Sequence, residues 1–99
     1  MYDPHARLKR NYRAALTVAI NALGVQQLPL FAEQRVKVTV DFYVTNLRKD
    51  VDNMLKFTLD ILQGIAFSND CNVFSVVANK RACPGGDQRS EIIVEMFNI

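Results

Sequence analysis

One stretch of the chain, Arg35 to Thr45, constrains the fold more than any other. Its residues alternate between apolar and polar side chains. This period of two predicts a β-strand with all the apolar side chains on one face. A strand with one buried face and one partly solvated face suits a sheet that has a helical layer on one side. The predicted buried side chains of this strand are Val36, Val38, Val40, Phe42 and Val44.

A first helix precedes this strand. The dipeptide Asp3-Pro4 is typical of a helix start, and Gly24 is typical of a helix end. Its first half is basic, and its second half is nearly all apolar. We therefore expect the second half to be the buried end of the helix and the first half to face solvent or a partner. Apolar residues recur at helical spacing at Leu8, Tyr12, Ala15, Ala19 and Leu23.

A second helix and two further strands follow. The helix is predicted from about Val51 to Gln63, with Gly64 as its stop. Asn72 to Lys80 and Arg89 to Phe97 are predicted strands, and a Pro-Gly-Gly-Asp turn lies between them. Two strands joined by such a turn favour a long antiparallel hairpin. The predicted fold class is α+β: a small mixed sheet, formed by one strand and a C-terminal antiparallel hairpin, with two helices packed on it.

Composition places the 99 residues in a single domain and gives a net charge of only +2. That charge does not by itself indicate a nucleic-acid partner, but local basic patches can contact phosphates. The alternative is an ordinary solvated surface. The candidate DNA-contacting residues are Arg7, Arg10, Arg48, Lys49, Lys80 and Arg81.

The two cysteines and the hydropathy pattern indicate the compartment. Cys71 and Cys83 have no metal-binding spacing, and a predicted strand separates them, so we expect reduced thiols. The chain has no signal-peptide pattern and no apolar run near the ~20 residues that a membrane span needs. These features predict an intracellular protein, in the cytoplasm, the nucleoid or the nucleus.

Three aspartates stand where chemistry is plausible. Asp50 and Asp52 flank the start of the second helix, and Asp70 precedes the second strand. Mg²⁺ prefers oxygen ligands, and a cation relieves the repulsion among clustered carboxylates. If Asp50 precedes the first helical turn, both early carboxylates can lie at the helix N-terminus. Lys56 lies one turn beyond Asp52, where it could contact a scissile phosphate.

Each of these features also has an ordinary structural explanation. Aspartates near the first turn of a helix cap it and interact favourably with its dipole. Asp52 and Lys56 form a common i,i+4 pair. Asn69-Asp70 before a strand is a common turn. The spacing alone therefore leaves both interpretations open.

The motif of this region resembles that of the RusA family of Holliday-junction resolvases, which are crossover junction endodeoxyribonucleases. The family's core pattern is D-x-D-N-x-x-K, then x-x-x-D, a helix end, and D-D-x-x-V. The resemblance covers roughly residues 35 to 97, and Asn69 replaces the first aspartate of the late pair. The matching segments are Lys49-Asp50-Val51-Asp52-Asn53-Met54-Leu55-Lys56, Leu59-Asp60 and Ser68-Asn69-Asp70-Cys71-Asn72-Val73.

The resemblance implies a Mg²⁺-dependent endonuclease, with Mn²⁺ as an alternative cation, that cuts branched DNA as a homodimer in recombination and repair. By matched position, Asp50, Asp52 and Asp70 would be the metal ligands and catalytic carboxylates. Lys56 would be the catalytic lysine, and the basic residues before the motif would touch DNA.

One departure from the family pattern concerns the start of the chain. Family members usually begin with a strand before the first helix, whereas this sequence begins almost at the helix. The departure indicates a truncated or wrongly started version of a family member, or an abbreviated homologue, that lacks an edge strand. It also motivates an alternative function: a homologue that binds nucleic acid or a partner protein but no longer cuts.

Overall fold

The computed structural model describes residues 6–24, 27–83 and 85–98. Two helices and a three-stranded mixed sheet form an α+β chain, so the predicted fold class is confirmed. The helix start predicted at Asp3-Pro4 lies outside the described residues. The elements are α1 (Ala6–Ala22), β1 (Val36–Val44), α2 (Val51–Leu62), a 3-10 turn (Asp70–Asn72), β2 (Val73–Ala82) and β3 (Arg89–Met96).

Strand β1 is the centre of the fold, because the order of the sheet is β2-β1-β3. The five apolar side chains predicted to point inward are all buried, with 0 to 5% of their surface exposed. They pack against α2 and the segment that follows it, where Leu62, Ala66 and Phe67 are buried. The prediction for this strand is confirmed, because burial of one apolar face stabilises the strand whatever its neighbours are.

The predicted antiparallel hairpin of the last two strands is wrong. Strand β2 runs parallel to β1, and β3 runs antiparallel to β1 along its other side. For example, Val38 pairs with Val76 on one side and with Val94 on the other. Helix α2 carries the chain back to the start of β1, as the crossover of a strand–helix–strand unit must. The later turn does reverse the chain, but the returning strand pairs with the free edge of β1.

The expectation of a buried second half for α1 is also wrong, because no residue of this helix is buried. Val18 is 70% exposed and Leu23 is 83% exposed. Instead, side chains of the basic half attach α1 to the C-terminal end of α2. The Lys9 amine lies 2.7 Å from the Asp60 carboxylate, and Arg13 Nε donates to the Ile61 carbonyl at 3.3 Å. A cleft of about 530 Å³ remains between α1, α2 and β3.

Two further features match the sequence. Gly64 has a φ of +88°, which is the left-handed conformation expected of a helix-terminating glycine, and α2 ends two residues before it. Cys71 is exposed, Cys83 is buried, and neither forms a disulfide, as predicted. Within the described ranges, no helix has the length and apolar character that crossing a membrane requires.

Candidate active site

The N-terminus of α2 holds two of the three candidate carboxylates. Asp50 is the N-cap residue, with extended backbone, and its Oδ1 accepts the backbone N–H of Asp52 at 2.9 Å. This bond satisfies one of the N–H groups that the first turn of a helix leaves unpaired. The capping role and the proximity of the two carboxylates therefore arise from the same geometry.

Lys56 lies one helical turn beyond Asp52. Its Nζ is 3.5 Å from Asp52 Oδ2, and both side chains are about 70% exposed. Exposed pairs of this kind contribute little to stability, with a median of about 0–1 kcal/mol. Lys56 can therefore leave Asp52 for a bound phosphate at little energetic cost.

The loop before α2 carries two of the predicted DNA-contacting residues, Arg48 and Lys49, and both are exposed. Lys80, near the end of β2, donates from Nζ to the Leu47 carbonyl and to the Lys49 carbonyl, the latter at 2.9 Å. Lys80 was predicted to touch DNA. In the structure its ammonium group holds the loop that presents Arg48 and Lys49.

Asp70 opens the 3-10 turn before β2. Asn69 Oδ1 accepts the N–H of Cys71 at 3.2 Å, and Asn72 Oδ1 accepts the N–H of Asn69 at 2.9 Å. The Asn72 amide also donates to the Glu33 carbonyl at 3.0 Å, which ties this turn to the segment just before β1. The two asparagines thus fix the backbone of the turn, and the exposed Asp70 carboxylate stands on it.

The sheet register separates Asp70 from the other two aspartates. Val73 lies beside Val36 at the start of β1, and Ala82 lies beside Val44 at its end. The nine residues of β1 span roughly 26 to 30 Å. Asp70 precedes the start of the parallel pair, whereas the loop that leads to α2 follows its end. One chain therefore does not bring the three carboxylates together.

A cation site built by a single chain does not fit this arrangement. Among the residues that the structure describes, no group of three His, Cys, Asp or Glu side chains is placed to hold a metal ion. The α2 end of the molecule supplies two carboxylates and a lysine. The Asp70 end supplies one carboxylate.

The predicted DNA contacts divide in the same way. Arg48, Lys49, Lys80 and Arg81 belong to the end where α2 begins. Arg10 lies at the other end, where it lines a polar cleft of about 560 Å³ with Gly64 and Ser68, and Arg7 is on the same helical turn.

The sequence analysis missed a polar network on the uncovered face of the sheet. Asp41 Oδ1 accepts from Asn79 Nδ2 and from Arg81 Nε, both at 3.1 Å. Arg89 lies 4.0 Å from the centre of the Tyr43 ring, and its hydrogen bond to Glu91 raises its pKa. The polar residues of the alternating β1 pattern were the available signal for this network.

Comparison with known protein families decides the family. Residues 1–95 match the family described as Endodeoxyribonuclease RusA. The chain belongs to the RusA family. This confirms the resemblance carried by the Asp50–Lys56 motif, and it assigns the chain to a family of endodeoxyribonucleases that act on branched DNA. No curated protein matches the chain.

Proposed function

We propose that this RusA-family protein is a Mg²⁺-dependent endonuclease that cuts phosphodiesters in branched DNA, such as Holliday junctions, during recombination and repair inside the cell. The observation that carries the proposal is the family match, which spans residues 1–95 and includes the whole aspartate–lysine motif. Residues 1–99 would form one nuclease domain, and Mn²⁺ would substitute for Mg²⁺.

The proposed roles follow from residue chemistry. Asp50, Asp52 and Asp70 supply the carboxylate oxygens that Mg²⁺ prefers. A bound cation at a phosphodiester stabilises developing negative charge and activates water. Lys56 contacts the scissile phosphate or the leaving oxygen with its exposed ammonium group. The proposed phosphate contacts are Arg7, Arg10, Arg48, Lys49, Lys80 and Arg81. Of these, Lys80 acts mainly by holding the loop that presents Arg48 and Lys49, and Arg81 keeps its Nε bond to Asp41.

The separation of Asp70 from Asp50 and Asp52 makes a homodimer part of the proposal. In a two-fold dimer, each protomer can offer its Asp70 end to the α2 end of its partner. Two equivalent sites then form, each with two carboxylates from one chain and one from the other. Such a dimer would cut a junction at two symmetric positions.

Mixing two inactive variants tests this arrangement. Asp52→Asn removes a carboxylate from the α2 end, and Asp70→Asn removes the carboxylate from the other end, so each variant alone should be inactive. In a mixed dimer, one of the two sites receives wild-type residues from both chains. Random exchange of subunits should therefore restore roughly a quarter of the wild-type sites.

The assay uses a labelled four-way junction and a matched linear duplex, each with Mg²⁺ and with EDTA. Mg²⁺-dependent nicking of the junction alone supports the function, and nicking by the mixture but not by either variant supports the shared site. If Asp70→Asn cuts like the wild type, the assignment of that residue is wrong. A matched control is Asp87→Asn, an exposed aspartate in the turn before β3, which should cut normally.

A second candidate function is a homologue that binds branched DNA or a partner protein without cutting. The observation that favours it is the distance between Asp70 and the other two carboxylates within one chain. It predicts salt-dependent junction binding with no nicking in the presence of Mg²⁺ or Mn²⁺. Any metal-dependent product would rule it out.

A further inference from the structure

Asp60 belongs to the family motif, but the proposed function gives it no role. It follows Asp52 by eight residues and Lys56 by four, so the three side chains share one face of α2. Along the helix axis, Asp60 lies roughly 12 Å beyond Asp52, which corresponds to about three to four base steps of duplex DNA. Lys56 pairs with Asp52. Asp60 pairs instead with Lys9, which belongs to α1. The face of α2 that starts at the candidate active site therefore ends at a contact with α1.

The pair of Lys9 and Asp60 is shorter and more buried than the pair of Lys56 and Asp52. Lys9 Nζ lies 2.7 Å from Asp60 Oδ2, and the Lys9 side chain is only 16% exposed. The Lys9 ammonium group also lies 5.8 Å from the centre of the Phe57 ring. A hydrogen bond between two charged groups is stronger than one between neutral groups, and partial burial reduces its screening by salt. The Asp60 carboxylate therefore fixes the position of Lys9.

Arg13 attaches the same side of α1 to the end of α2. Its guanidinium group donates to the backbone carbonyls of Asp60 and Ile61. The last carbonyls of a helix lack partners within the helix, and the helix dipole favours a cation beside them. Helix α2 has no basic residue of its own in its last turn. Lys9 and Arg13 supply that positive charge from α1.

Polar contacts carry much of the attachment, because α1 contributes no buried side chain. Its apolar contacts are peripheral. The rings of Tyr12 and Phe57 meet nearly at right angles, with 5.9 Å between their centres, and Leu16 lines the cleft between α1, α2 and β3. Tyr12 remains 52% exposed in this contact. Loss of the pair between Lys9 and Asp60 should therefore loosen the first half of α1 while the core stays folded.

Arg10 is the residue of α1 that this attachment orients. It directly follows Lys9 and is exposed, and it lines the polar cleft together with Asp60 and Ser68. Ser68 lies two residues before Asp70. Because successive residues of a helix are separated by about 100° around its axis, the direction of Lys9 sets the direction of Arg10. While Lys9 is bound to Asp60, Arg10 is presented beside the end of the molecule that carries Asp70.

We propose that Asp60 is a positioning residue for the binding of branched DNA: its carboxylate fixes Lys9, and through α1 it holds Arg10 against a DNA phosphate. The inference rests on the proposed function, and it adds a role for a residue that touches neither the phosphodiester nor the cation. DNA that lies along the polar face of α2 then meets Lys56 near the start of the helix and Arg10 beside its end.

The sign of the change in binding distinguishes this role from ordinary electrostatics. A carboxylate near bound DNA repels phosphates, so its removal normally strengthens binding. The proposed role predicts weaker binding by Asp60→Asn, because Arg10 is no longer held in position. Asp60→Glu keeps the carboxylate and should bind nearly as the wild type does. Asp87→Asn is the matched control: it removes the same charge from another ion pair, 3.1 Å from Arg89, and should not weaken binding.

Binding of a labelled four-way junction in EDTA, over a range of salt concentrations, reports the number of phosphate contacts. Each lost contact should reduce the slope of log K against log salt by about 0.9. We expect that loss for Arg10→Met and for Asp60→Asn. The double variant should lose no more, because both substitutions remove the same contact. If Arg10→Met reduces the slope equally in the wild-type and Asp60→Asn backgrounds, the inference is overturned.

Hydrogen exchange tests the attachment without DNA. The amides of α1 should lose protection in Asp60→Asn, whereas those of β1 should exchange as in the wild type, which also shows that the core stays folded. Unchanged protection of α1 would overturn the inference. A wild type that binds no junction would overturn the proposed function, and the role of Asp60 with it. A wild type that binds the junction while Asp60→Asn binds it equally well would overturn only the role of Asp60.

Discussion

Asp50 has two roles that substitution can separate, because it caps α2 and it is a proposed metal ligand. Asp50→Ala removes the 2.9 Å bond to the Asp52 N–H, whereas Asp50→Asn keeps an oxygen that can accept it. Losing an N-cap costs about 0.5–2 kcal/mol, and losing the charge at a helix N-terminus costs about 0.3–1 kcal/mol. The asparagine variant should lose only the charge contribution, and the alanine variant should lose both.

The two variants should therefore differ by about 1 kcal/mol in the free energy of unfolding, and both should fail to cut DNA. For a domain of this size, that difference corresponds to roughly 4–8 °C in Tm. Thermal and urea unfolding without divalent metal measure it, and Asp87→Ala serves as an exposed control. If Asp50→Ala is as stable as Asp50→Asn, the side chain does not cap α2. If Asp50→Ala is more stable than the wild type, carboxylate repulsion outweighs the cap.

Two further predictions concern the basic residues near the start of α2. Lys80→Met should lower the free energy of unfolding by about 0.5–1.5 kcal/mol, because it removes the donor to the Leu47 and Lys49 carbonyls. Urea unfolding measures the loss of stability. An unchanged midpoint would mean that the Lys80 hydrogen bonds do not stabilise the loop. Arg48→Met should reduce the salt dependence of junction binding by about one counterion, whatever the DNA sequence. An unchanged slope of log K against log salt would exclude Arg48 as a phosphate contact.

The sequence predicted elements better than it predicted their arrangement. Strand β1 was predictable because its side chains alternate with a period of two. The boundaries of α2 were predictable because Asp50 caps the start of the helix and Gly64 adopts the left-handed conformation just beyond its end. The apolar residues of α1 also recur with a clear helical period, but period alone does not say which of them the fold buries. The orientation of α1 on the fold is set by its basic half, because Lys9 and Arg13 bind the C-terminal end of α2.

The distance of Asp70 from Asp50 and Asp52 was not predicted from local sequence patterns. Local patterns predicted the strand that follows Asp70, but not its parallel pairing with β1. The direction of that pairing decides at which end of the sheet Asp70 lies. The strand–helix–strand order was the available signal, because such units favour parallel strands. Residues that follow the first strand and residues that precede the second then lie at opposite ends. The hairpin prediction failed because the turn before β3 determines only that the chain reverses direction. It does not determine whether β3 pairs with β2 or with β1.

The central position of β1 has a consequence for synthesis on the ribosome. This strand is made first, yet β3, which pairs with its second edge, begins 45 residues after Val44. At ~5–20 residues per second, that edge waits roughly 2–9 s for its partner. A run of alternating valines with two open edges is prone to intermolecular pairing, and Lys37 and Asp41 on its polar face act against it. Nascent chains that end before Arg89 should therefore self-associate more when both charges are replaced by threonine, which sedimentation of released chains would detect.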